Sequence, residues 1–62
     1  MIDEKNLHLQ RVRASIDPLK VVKGHRFKAH CHAAQVCGEM DNPTRLDWYI
    51  AFYEELWALQ QN

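Results

Sequence analysis

The chain of 62 residues has only two cysteines, two glycines and two prolines, and it has no long apolar run. Each scarcity excludes something. Two cysteines are too few for a disulfide scaffold, so Cys31 and Cys37 read as thiols or metal ligands in a reducing compartment. Gly24 and Gly38 stand alone, which excludes a glycine-rich loop that cradles phosphate. Neither an internal repeat nor a Gly/Ser linker is present. Charged residues or histidines interrupt every segment as far as Thr44, and Asp47, Glu54 and Glu55 interrupt the rest. No segment approaches the roughly 18 apolar residues of a membrane span. Met1-Ile2-Asp3-Glu4-Lys5 carries acids where a secretory signal would carry a positive patch, so a cytoplasmic, non-membrane protein is expected.

What is present suits a single small domain over residues 1–62. The 47% hydrophobic and 26% charged content belongs to a folding chain and not a disordered one. A chain of this size buries only about 60% of the surface it exposes when unfolded, so a dense core, a metal or a partner has to help. It hardly offers room for a deep pocket and a supported catalytic constellation, and no enzymatic role is expected.

The expected fold class is mainly α, a small three-helix arrangement with a long aromatic C-terminal helix. That helix is placed at about 43 to 60, with Asp41 or Asn42 as cap and Pro43 at the first helical position. Steps of about 100° put Leu46, Tyr49, Ile50, Tyr53 and Trp57 near one meridian, with Trp48, Phe52, Leu56 and Leu59 on the adjoining face. The apolar arc spans roughly 200°, against the roughly 100° that one core-facing stripe needs, so the helix should be covered on two sides.

A first helix is expected from about 3 to 16, with Ile2, Leu9, Val12 and Ile16 at helical spacing, and with acids at its start and Arg11 and Arg13 toward its end. Asp17-Pro18 ends it. For residues 19 to 37 the spacing predicts a short extended piece and then a helix at about 25 to 37, closed by Gly38. The alternative is an α+β fold in which a short N-terminal or central β-hairpin, the latter turning at Lys23-Gly24, packs on the C-terminal helix.

His25, His30, Cys31, His32 and Cys37 lie within thirteen residues, and imidazole and thiolate are the ligands zinc prefers. Structural zinc sites usually pair their ligands in two separated halves, and only one half is present here. On a helix, Cys31 and Cys37 would be about 120° out of register and roughly 9 Å apart along the axis. His30 and Cys37 would share a face but need two more ligands, whereas a loop could bring four together. Zinc is thus the one cofactor candidate, against a plain reading of the cysteines as small buried hydrophobes. Cys31 sits between two histidines, but adjacent side chains diverge, and a thiol nucleophile is not expected.

The zero formal net charge hides a division. Residues 5 to 32 carry seven cations against Asp17 alone, while residues 33 to 62 carry five acids against Arg45. Arg11, Arg13, Lys20, Lys23, Arg26 and Lys28 form a candidate surface for nucleic acid or an acidic partner. Against nucleic acid, Trp48, Tyr49, Phe52, Tyr53 and Trp57 lie in the acidic C-terminal helix and are not interleaved with the cations along the chain.

The remaining segments offer modest apolar material, including Leu19, Val22 and Phe27, to cover the large side chains of the last helix. The expected function is that of a small regulatory, adaptor or inhibitor protein that binds another protein and self-associates as a homodimer. The expected interface meridian is Trp48, Phe52, Leu56 and Leu59, with Leu46, Tyr49, Tyr53 and Trp57 toward the chain's own core; the alternative is the opposite assignment of the two meridians. The alternative is a nucleic-acid-binding protein that uses the basic segment 5–32, with or without a structural zinc.

Overall fold

The computed structural model describes residues 3–61 and contains three α-helices: α1 (Glu4–Ser15), α2 (Lys23–Gly38) and α3 (Arg45–Gln60), with one 3₁₀ turn at Pro18–Lys20. The mainly α expectation holds. The hairpin alternative does not, because Lys23-Gly24 opens α2 and no strand occurs among the described residues. Ile2, expected on the first helix, lies outside the described residues.

Local chemistry accounts for the helix boundaries. Asp3 caps α1 by accepting the Lys5 backbone N–H at 3.0 Å, with Glu4 in the first turn and Arg13 in the last, as the helix dipole favours. The chain then turns extended at Ile16 and Asp17 before Pro18. The Asp17 carboxylate caps the 3₁₀ turn through Leu19 N–H at 3.0 Å. The helix α2 begins two residues earlier than expected, at Lys23, after extended Val22.

The start of α3 departs from expectation. Its cap is Thr44, not Asp41 or Asn42, and Pro43 lies before the cap and not at the first helical position. Thr44 wins because Asp47, three residues on, completes a capping box. Asp47 N–H donates to Thr44 Oγ1 at 3.2 Å, and Thr44 N–H donates to Asp47 Oδ2 at 3.0 Å. Asn42 instead takes φ 53°, a left-handed conformation that asparagine tolerates, in the link from α2.

The central helix is α3: it packs against both α1 and α2, which hardly touch each other. The expectation of cover on two sides is met. Lys5 reaches Asp47 near the two helix starts and Asp17 meets Gln60 near the two ends, so α1 and α3 run parallel. The Gln60 side chain clamps the Asp17 backbone at two points, accepting its N–H at 3.1 Å and donating to its carbonyl at 2.9 Å. On the other flank, Ala29 and Ala33 of α2 are fully buried, their short side chains letting the helices approach closely.

The outcome is a slab of 32 × 27 × 15 Å. The buried apolar residues are Leu9, Ala29, Ala33, Ala51 and Leu56, and among the described residues no large side chain is wholly enclosed. No described helix is long and apolar enough to cross a membrane.

Candidate interaction surface

The side chains that α3 cannot bury on its neighbours collect on the broad sides of the slab. On one side, Trp48 and Phe52 stack with ring centroids 5.1 Å apart. Tyr49 and Tyr53 stack at 6.4 Å, and Phe52 meets Tyr53 edge-on at 5.1 Å. The rings of Trp48, Tyr49, Phe52 and Tyr53 thus form one continuous pad.

Both flanking helices supply cations to this pad. From α1, the Arg13 guanidinium lies 5.3 Å from the Tyr53 ring centroid, a cation–π contact worth about 0.5–1 kcal/mol at an exposed site. From α2, Lys23, Arg26, Phe27 and His30 share a face, and His30 meets Trp48 edge-on at 5.4 Å. Two shallow concavities run together here. One of about 400 Å³ is lined by Arg13, Ile16, Pro18, Val21, Arg26, Phe52, Tyr53 and Leu56. The other, about 520 Å³, lies over Lys23, Phe27, His30 and Trp48 and shares Arg26 and Phe52 with the first. Among the described residues no carboxylate lines either one. The start of α2 has no side-chain cap and no acid in its first turn, so the positive end of its dipole adds to the same field.

No family model, curated protein or solved structure matches this chain.

Of the expected cationic set, the fold brings Arg13, Lys23 and Arg26 to the aromatic pad. It does not bring the others: Arg11 lines a groove on the opposite side of the α1–α3 pairing, Lys20 is exposed in the 3₁₀ turn, and Lys28 is exposed outside both concavities. Of the expected interface meridian, Trp48, Phe52 and Leu59 are half-buried, but Leu56 is buried, within the concavity it lines with Ile16, Pro18 and Val21. Two residues expected toward the core are instead open: Tyr49 is 46% and Trp57 42% exposed. Leu19, Val22 and Phe27, counted as covering material for α3, are themselves exposed, Phe27 at 70%.

The His/Cys cluster is dispersed by the helix that carries it. Cys31 is exposed, Cys37 is half-buried, and His30 belongs to the aromatic pad. His32 Nδ1 lies 3.3 Å from the Glu55 carboxylate, and His25 is half-buried with its Nδ1 atom unpartnered. Among the described residues no three His, Cys, Asp or Glu side chains are grouped to hold a metal.

The juxtaposition of cations and rings was not apparent from sequence order, since Arg13 and Arg26 are far from residues 48–53 along the chain. One local signal existed. Lys23, Arg26, Phe27 and His30 follow the i, i+3, i+4, i+7 rule of a helix face, visible once α2 is started at Lys23.

Proposed function

We propose that this chain is a small non-enzymatic adaptor or regulatory protein that docks an acidic segment of a partner protein on the pad formed by Trp48, Tyr49, Phe52 and Tyr53. The observation that carries this reading is the union of aromatic rings from α3 with Arg13, Lys23 and Arg26 in two joined concavities free of carboxylates. Tryptophan, tyrosine and arginine are the residues that most often dominate binding energy at protein interfaces. A unipolar rim raises the association rate for a partner of opposite sign and disfavours partners of like sign.

The test uses a short peptide of alternating acidic and leucine or phenylalanine residues, titrated into the isotopically labelled protein. Chemical-shift changes should centre on Tyr49, Phe52, Tyr53 and Arg26, and Arg26→Glu should weaken binding by at least tenfold. Shift changes confined to the outer faces of α1 and α2, or equal affinity for the variant, would reject the reading.

The closeness of rings and cations also favours a second occupant, a single nucleic-acid strand whose bases stack while its phosphates meet the rim. With three cations at the pad, log K should fall against log salt with a slope of about −2 for an oligothymidylate. A slope near zero, or binding that does not compete with the peptide, would remove this second reading.

A further inference from the structure

We infer that a second copy of this chain docks on the opposite broad side of the slab, over the groove between α1 and α3, in a two-fold arrangement that leaves the aromatic pad free. This groove, about 460 Å³, is lined by His8, Arg11, Val12 and Ser15 from α1 and by Glu54, Trp57 and Ala58 from α3. Its lining differs from that of the pad in a decisive way. The pad offers cations only, so two copies meeting there would bring Arg13, Lys23 and Arg26 against their own kind. The groove instead carries Arg11 and His8 on one wall and Glu54 on the other.

A two-fold contact is self-complementary: whatever residue 11 meets on residue 54 of its partner, residue 54 meets on residue 11 in return. Turned so that the α1 wall of each copy faces the α3 wall of the other, the groove pairs Arg11 with Glu54 twice. The Glu54 side chain is 53% exposed although His8 lies 3.6 Å away, so its carboxylate remains open to a second cation. Trp57, 42% exposed, lines the same groove with Val12 and Ala58, a ring able to anchor the contact.

The experiment is sedimentation equilibrium on the full chain, with circular dichroism on every variant to show retained helix. Wild type should sediment at twice 7.3 kDa. Arg11→Glu alone and Glu54→Arg alone should each sediment as monomers, because each homotypic pairing then sets like charges together. Mixed in equal amounts, the two variants should regain the doubled mass as a heterodimer, since both cross-pairs are again opposite in sign. A fold damaged within one chain could not be repaired by mixing, so that recovery isolates the interface. A monomeric wild type, variants that stay dimeric, or a mixture that stays monomeric would each overturn the inference. Arg26→Glu should leave the mass unchanged, so failure of the peptide-docking reading and failure of this one remain distinguishable.

Discussion

Asp47 joins two helices through one carboxylate. Its Oδ2 accepts the Thr44 N–H at 3.0 Å and hydroxyl at 2.9 Å, while its Oδ1 accepts from Lys5 Nζ at 3.1 Å. These hydrogen bonds, led by the Thr44 backbone N–H and then by Lys5, hold the carboxyl below the ordinary aspartate range, against a small opposing effect of desolvation. The direction fixes the pH dependence. A carboxylate with a depressed folded pKa contributes its stability above the unfolded value, and that contribution is lost as pH falls through the folded value. Asp47→Asn should therefore melt below wild type at neutral pH, and the gap between the two should close on acidification below the usual aspartate pKa. A gap that is constant across that range in parallel thermal melts would contradict the assignment. The capping chemistry was only roughly legible, since the sequence points to Asp41 or Asn42 as the cap, two or three residues before the observed Thr44. The choice of Thr44 needed the Thr-x-x-Asp pattern, and the Lys5 partnership is invisible without the fold.

At the scale of the element, α2 shows how a weakly apolar helix finds its place. Its first turn has no side-chain cap, and Phe27 faces solvent, so ordinary signals of a core helix are few. What docks it is the pair Ala29 and Ala33, both at 0% exposure where α2 meets α3. Ala33→Leu would force the helices apart and should cost about 1–3 kcal/mol in a denaturant melt. Gly24→Ala should act in the opposite sense: a Cβ there meets nothing within 4 Å and no glycine has positive φ among the described residues, so stabilisation of about 0.4–1 kcal/mol is expected. Periodicity revealed all three helices, because capping, proline and apolar spacing act locally. It did not reveal which side of α3 each neighbour covers. Leu56 and Trp57 are adjacent large side chains in sequence, yet Leu56, in the concavity shared with Ile16, Pro18 and Val21, is 3% exposed and Trp57 is 42% exposed.

For the whole molecule, placing α3 between two helices that hardly meet yields a flattened layer of three helices. The excess of apolar side chains on α3 could be read from the width of its arc. The meeting of Arg13 and Arg26 around Tyr53 and Phe52 could not, because it depends on which edges of α1 and α2 face the same broad side. A layer of this kind also governs how its backbone breathes. Each outer helix has a neighbour along one flank, so its amide protons need only a small opening to meet solvent, whereas those around Ala51 to Leu56 are screened from both flanks. Deuterium uptake should accordingly be slowest in a narrow band at the middle of α3 and fast along α1 and α2, a gradient running from the centre line of the slab to its rims.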